Sequence, residues 1–133
     1  MAKTKNVPHR GELNPQDTWD LSKIFKTDAA WERAYKRLDR MLPEFERYRG
    51  KLGGSARIIL ECCDFEVEFG KLAEKLSVYA ALKHSENVAD DHANAMTARV
   101  THLGMHAAEA ASFIAPEMQA IPKKKMDGFL KNK

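Results

Sequence analysis

Apolar residues recur at alternating steps of four and three positions along three stretches of this chain. This spacing places them on one face of an α-helix, so each stretch predicts an amphipathic helix. The first runs from about Asp28 to Tyr48, with Thr27 or Asp28 as its N-cap. Pro43 lies inside it and lacks the backbone donor that a helix uses. Because the stripe keeps its phase across Pro43, we expect a bend there rather than an end. The stripe comprises Trp31, Tyr35, Leu38, Leu42 and Phe45.

Two further helices follow the same spacing. The second is predicted from about Ala56 to Lys83, after a loop containing three glycines and with Ser55 as its N-cap. The third is predicted from about Asp91 to Ile114, with Asp90 or Asp91 as its cap and Pro116 as its end. The second stripe comprises Ile58, Cys62, Phe65, Phe69, Leu72, Leu76 and Tyr79, and the third comprises Met96, Val100, Leu103, Ala107, Ala110 and Ile114.

The segments outside these helices are shorter. Residues 1–17 are polar and predict a flexible leader, and residues 18–133 predict a single domain. Residues 18–26, here called the strap, are expected to be extended and to lie on the helices. The reason is that the strap carries four large apolar side chains whose burial is favourable by roughly 1.5–3 kcal/mol each. These are Trp19, Leu21, Ile24 and Phe25. A helical turn over Glu117–Ala120 and a last element from Pro122 to Leu130 predict a short C-terminal helical segment.

These elements predict an all-α fold, an antiparallel bundle of three long helices of which the first is kinked near Pro43. The length of 133 residues suits one domain, which can bury a core without disulfides or metal. The 44% of apolar residues and 31% of charged residues are typical of a soluble globular protein.

Net charge and cysteine use narrow the class of protein. A formal charge of +3 does not indicate a nucleic-acid partner, and we interpret Lys123–Lys125 as a solvated terminus. No apolar stretch is long enough to predict a membrane span, and the first residues lack the apolar core of a signal peptide. Cys62 and Cys63 are adjacent and would point about 100° apart on a helix, so we expect reduced thiols and a cytoplasmic location.

One motif carries possible metal chemistry. His102 and His106 are one helical turn apart, a spacing that can chelate a metal. Leu103 stands where a zinc peptidase would carry its general base, and no third acidic ligand is evident. We therefore interpret the pair as surface or boundary histidines. Weak zinc or nickel binding would fit the spacing, and catalysis would not.

Other reactive side chains have structural interpretations. The serines lack an evident histidine and acid partner for nucleophilic catalysis. The acidic pairs Glu66 with Glu68 and Asp90 with Asp91 suit solvated helix faces or helix starts. Tyr79 lies on the second stripe, so we expect it to be a core residue. The sequence predicts no catalytic, cofactor-binding or metal-binding residue in this chain.

An ordered set of short motifs resembles the N-terminal domain of the oligoendopeptidase F family, zinc metallopeptidases of the thimet-oligopeptidase (M3) type. The resemblance extends from about Gly11 to Leu130. Its motifs are Trp19-Asp20-Leu21, Ile24-Phe25, Ala30-Trp31, Leu42-Pro43-Glu44, Tyr48-Arg49-Gly50-Lys51-Leu52, Tyr79-Ala80, Phe113-Ile114, Pro116-Glu117 and Ile121-Pro122.

The resemblance implies a domain of an enzyme that hydrolyses short oligopeptides inside a deep channel. It implies a zinc site of the His-Glu-x-x-His type, and this sequence contains no such motif. Zinc and the catalytic residues are therefore expected in a missing catalytic domain, which would be the partner of this one. By itself the chain is expected to be inactive, to form part of the channel wall or lid, and to expose apolar helix or strap surface.

Two alternatives remain open at this point. The chain could be a free-standing helical interaction module derived from that domain, binding a partner or a second copy through exposed apolar helix faces. A weaker alternative is a metal or redox binder that uses His102, His106 and Cys62 or Cys63.

Overall fold

The computed structural model describes residues 7–131, and all regular secondary structure in that range is helical. The all-α class predicted from the sequence is therefore confirmed. Four short 3-10 segments also occur, three before the first α-helix and one directly after it. The α-helices are α1 (Asp28–Met41), α2 (Ala56–Glu86), α3 (Asp91–Ala111), α4 (Ile114–Ala120) and α5 (Lys123–Lys131).

Helix α1 begins as predicted and ends earlier. The Thr27 hydroxyl caps it by accepting a hydrogen bond from the Ala30 backbone N–H at 3.1 Å. The α-helix ends at Met41, and Leu42–Arg47 continues as a 3-10 helix. The predicted α-helix through Tyr48 is thus wrong, because Pro43 has no N–H for the α-helical ladder. The apolar stripe survives the change of helix type, since Phe45 and Tyr48 are both buried.

Helix α2 is the longest element, about 46 Å at the usual rise per residue. The Ser55 hydroxyl accepts from the Ile58 N–H at 3.3 Å, which confirms the predicted cap. The helix ends at Glu86, three residues beyond the predicted end. Its predicted stripe faces the core, where Cys62, Phe65, Phe69, Leu76 and Tyr79 are buried and the remaining two members are half-buried.

Helix α3 begins after Asp90, whose carboxylate accepts from the backbone N–H groups of His92 and Ala93. It ends at Ala111, and a turn leads directly into α4. The prediction that Pro116 ends the third helix is wrong. Pro116 instead lies in the first turn of α4, where its missing N–H would have no helical partner in any case.

The strap is not extended. The Leu21 carbonyl accepts from the N–H groups of Ile24 and Phe25, which makes Leu21–Lys23 a 3-10 turn. These three apolar side chains are half-buried against the core, as expected of a segment that lies on the helices. Trp19 departs from the prediction because 59% of it is exposed.

Contacts between the long helices fix their pairing. The start of α1 meets the end of α2, where the Tyr79 hydroxyl donates to Asp28 at 2.7 Å. Near the start of α2, the Glu61 carbonyl accepts from the Tyr48 hydroxyl at 3.2 Å. Helix α3 packs along α2 and meets α1 through Arg99. The largest fully buried side chains are Trp31, Phe45, Leu38, Leu52, Leu76, Met96 and Cys62.

The two ends of the chain are described only in part. Arg10 in the predicted leader pairs with Glu86 at 2.5 Å, and the flexibility expected of residues 1–17 stays a prediction. Residues 1–6 of that leader and residues 132–133 lie outside the described residues. The predicted C-terminal segment is present as α5, and Lys123–Lys125 are exposed on it.

Candidate functional site

The candidate histidines and cysteines do not form a single cluster in the part of the chain that the structure describes. His102 and His106 are exposed on α3, with their Nε2 atoms 3.2 Å apart. Cys62 is buried in the core, as predicted, and burial raises the pKa of its thiol to about 11. Cys63 is exposed, and both thiols are free. Among residues 7–131, no three His, Cys, Asp or Glu side chains are grouped closely enough to hold a metal.

A cluster of polar side chains joins the starts of α1 and α3 to the end of α2. Asp28 accepts hydrogen bonds from Tyr79 at 2.7 Å and from Lys83 at 2.5 Å, and the Nε2 atom of His92 lies 3.2 Å from it. Burial by itself would raise the pKa of Asp28, but the hydrogen bonds from Lys83 and Tyr79 outweigh it and hold that pKa below its usual value. Burial also raises the pKa of the Tyr79 hydroxyl. The cluster therefore holds a charged carboxylate where three helices meet.

Arg99 makes the corresponding contact between α1 and α3. Its guanidinium donates two hydrogen bonds to Glu32, at 2.7 and 2.9 Å, and lies 4.1 Å from the centre of the Tyr35 ring and 5.3 Å from that of Trp31. The Arg99 hydrogen bonds lower the pKa of Glu32. A bidentate ion pair stacked on aromatic rings fixes how α1 and α3 lie against each other, so we interpret Arg99 as a structural residue.

Helix α2 also carries apolar side chains on its outward face. Leu60, Val67 and Val78 are 61%, 53% and 42% exposed. At about 100° per residue, these three positions lie within about 20° of one another and roughly opposite the buried stripe. Charged residues share this side of α2, since Lys71 lies between Val67 and Val78 at nearly the same angle. The sequence predicted exposed apolar surface without specifying its residues. The spacing of Leu60, Val67 and Val78, which places them on one side of α2, could have identified them.

Not every surface concavity resembles a preformed small-molecule site. The one between α1 and α2 is lined mainly by charged side chains, among them Arg37, Arg40, Arg47 and Glu68. Arg37 and Glu68 already form an ion pair there, at 2.6 Å. Pockets for small molecules are mostly apolar with a few convergent polar groups, which differs from this lining. The helices of the described part of the chain include none that is both long and apolar enough to cross a membrane.

The amino-acid sequence is similar to those of bacterial oligopeptidases. The chain is 26% identical over 98% of its length to the oligopeptidase PepF of Bacillus subtilis, and 31% identical over 92% of its length to an oligoendopeptidase F homologue of Lactococcus lactis. In each case it spans about a fifth of the relative, 20% of that protein's length. No family model matches the chain.

A solved structure shares the fold. The crystal structure of oligoendopeptidase-F from Enterococcus faecium superposes with a TM-score of 0.72 and 24% identity, over 80% of this chain and 21% of that one. This chain therefore shares its helical fold with about a fifth of that structure. The chain belongs to the oligoendopeptidase F family, as the ordered motifs between Trp19 and Pro122 predicted.

Proposed function

We propose that this chain is the N-terminal helical domain of an oligoendopeptidase F-like zinc metalloendopeptidase that hydrolyses short oligopeptides. In the proposal it forms an antiparallel three-helix wall or lid of the substrate channel. The observation that carries the proposal is the match of nearly the whole chain to about a fifth of PepF-type peptidases. Such a wall would exclude folded proteins and help to position the peptide.

The chemistry is assigned to the remainder of the enzyme. The sequence has no His-Glu-x-x-His motif to bind zinc and supply a general base. The catalytic domain would therefore be the partner of this chain, and the chain by itself is expected to be inactive. The proposal includes a cytoplasmic location, which is supported by the free thiols of Cys62 and Cys63, and no nucleic-acid or membrane partner.

The outward face of α2 is the proposed contact with the rest of the enzyme. Leu60, Val67 and Val78 lie along one side of the longest helix, and their exposure leaves apolar area that association would remove from water.

The first test is the size of the native polypeptide. An antibody against this chain would be used on an extract of its source, and we expect a band several times larger than the 15.1 kDa of this chain. A single band at this chain's own size would overturn the domain proposal.

The second test separates the outward face from the core. Val67→Glu should leave the isolated chain's free energy of unfolding within about 0.5 kcal/mol of wild type, because surface changes usually do. In the full-length enzyme the same change should lower both thermal stability and peptide hydrolysis. Lys36→Glu, an exposed change on α1, is the control and should alter neither. Equal effects of the two variants in the full-length enzyme would refute the contact.

The alternative function is a free-standing interaction module, which the same exposed α2 face favours. This alternative predicts a 15.1 kDa native chain that binds a helix or a second copy of itself through Leu60, Val67 and Val78. Analytical sedimentation of the purified chain would distinguish binding to a second copy from binding to a different partner. A concentration-dependent dimer abolished by Val67→Glu would indicate self-association, and a monomer would indicate a different partner.

A further inference from the structure

The two exposed histidines of α3 form a pair with a defined geometry. His102 and His106 are one turn apart, and their rings pack edge to face with centroids 4.4 Å apart. Their Nε2 atoms are 3.2 Å apart. Leu103, which lies between them in sequence, is only 3% exposed, so it fixes which side of α3 faces the core. Both histidines are exposed on α3, and His106 also lines a surface concavity with Pro43, Glu46 and Arg49.

The distance between the two nitrogen atoms matches what one metal ion requires. Imidazole nitrogen atoms bind Zn²⁺ and similar ions at about 2.0–2.1 Å. Two such bonds that span 3.2 Å enclose an angle of about 100° at the metal. That angle lies between the 90° of square or octahedral coordination and the roughly 109° of tetrahedral coordination. The pair needs little rearrangement to bind an ion.

The other described histidines on the long helices are differently placed. The Nδ1 atom of His84 is 2.6 Å from the Asn94 side chain, and the Nε2 atom of His92 is 3.2 Å from Asp28. The Nε2 atoms of His102 and His106 meet each other instead. In a neutral pair one Nε2 atom can present a lone pair to the N–H of the other, and both present lone pairs to a metal ion when each ring carries its proton on Nδ1 instead.

We propose that His102 and His106 form a two-ligand binding site for a divalent transition metal of the Ni²⁺, Cu²⁺ and Zn²⁺ class. Imidazole suits all three ions, and affinity rises from Ni²⁺ to Cu²⁺. Because no third His, Cys, Asp or Glu is grouped with the pair among residues 7–131, water completes the coordination. Leu103 supplies no general base beside the pair, so this site binds metal without hydrolysing peptides. It is independent of the zinc proposed for the catalytic domain.

The test is calorimetric titration of the untagged chain with NiCl2. It is made in a Cys63→Ser background, because the exposed thiol is a competing ligand. We expect one saturable site per chain. His102→Ala or His106→Ala should each weaken Ni²⁺ binding about tenfold or more, because the second imidazole otherwise binds intramolecularly at high effective concentration.

A matched control keeps the number of histidines and breaks their geometry. Combining Gly104→His with His106→Ala moves the second imidazole to the second position after His102, about 200° around the helix. An added side chain at Gly104 meets nothing within 4 Å, so the helix accommodates it. We expect this variant to bind Ni²⁺ as weakly as His106→Ala alone.

Two results would overturn the proposal. The first is Ni²⁺ binding to the Cys63→Ser chain that does not saturate, which would mean adventitious binding only. The second is undiminished Ni²⁺ affinity in the His102→Ala variant or in the double variant. His92→Ala, a change of a histidine elsewhere on α3, should leave the affinity unchanged.

Discussion

Replacement of Trp31 provides the most direct check on the core. Trp31 is 1% exposed, and its indole Nε1–H donates to the Leu76 carbonyl in the middle of α2 at 3.0 Å. Its ring stacks on Tyr35 with centroids 5.4 Å apart, and the Arg99 guanidinium lies over it. One side chain therefore touches all three long helices.

The expected magnitudes follow from these contacts. Trp31→Ala removes a fully buried aromatic ring and leaves a cavity, which costs about 3–5 kcal/mol. Domains of this size are stable by about 5–15 kcal/mol, so the variant should remain folded with a much lower transition midpoint. Trp31→Phe keeps most of the packing and loses the hydrogen bond, which costs about 1–3 kcal/mol in total. The Leu76 carbonyl is not orphaned, because it lies inside α2 and keeps its helical partner.

The assay is urea unfolding followed by far-ultraviolet circular dichroism. Trp19→Ala is the matched control, because it removes the same type of side chain from a position that is 59% exposed. We expect its cost to be about 1 kcal/mol or less. If Trp19→Ala and Trp31→Ala lowered the free energy of unfolding equally, the assignment of Trp31 to the core and Trp19 to the surface would be refuted.

Three further predictions concern pH, thiols and the glycine loop. The pKa of Asp28 is lowered on folding, so its contribution to stability is complete above its unfolded value of about 3.8 and is lost as the pH falls below that value. The urea midpoints of wild type and Asp28→Asn should therefore differ at neutral pH and converge at low pH. A difference that stays constant with pH would contradict this pKa shift. In native protein, a thiol reagent should modify Cys63 rapidly and Cys62 only after unfolding, since the exposed thiol is accessible and burial raises the pKa of the other to about 11. Gly50→Ala should destabilise by about 1–2 kcal/mol because Gly50 has a φ of +76°, whereas Gly70→Ala in the open middle of α2 should stabilise by about 0.5–1 kcal/mol, both measured by urea unfolding.

Features that depend on nearby residues were predictable from sequence. The caps at Thr27 and Ser55 are examples, because a side-chain oxygen there satisfies a backbone N–H three residues away. The stripes of α2 and α3 are others, since periodicity alone specifies the face that is buried. The end of the third helix was misplaced because Pro116 is compatible with the first turn of a new helix as well as with the end of an old one.

The candidate surfaces were less predictable. The spacing of His102 and His106 is visible in the sequence, but the distance between their Nε2 atoms depends on both side-chain rotamers. Likewise, the exposure of Leu60 and Val67, which lie roughly opposite the predicted stripe of α2, depends on whether another element packs there. The contact between Arg99 and Glu32 joins residues 67 positions apart, and no local pattern announces it.

By itself, then, the sequence determined where the helices lie, which stripe of each is buried, and the family from which the domain comes. These follow from periodicity, capping and ordered motifs, all of which are local or linear properties of the chain. Only the tertiary structure decided that Trp19 is exposed, that the α-helix gives way to a 3-10 helix after Met41, and that Leu60, Val67 and Val78 stay exposed. Those outcomes depend on long-range packing, in which each side chain competes for the same limited core.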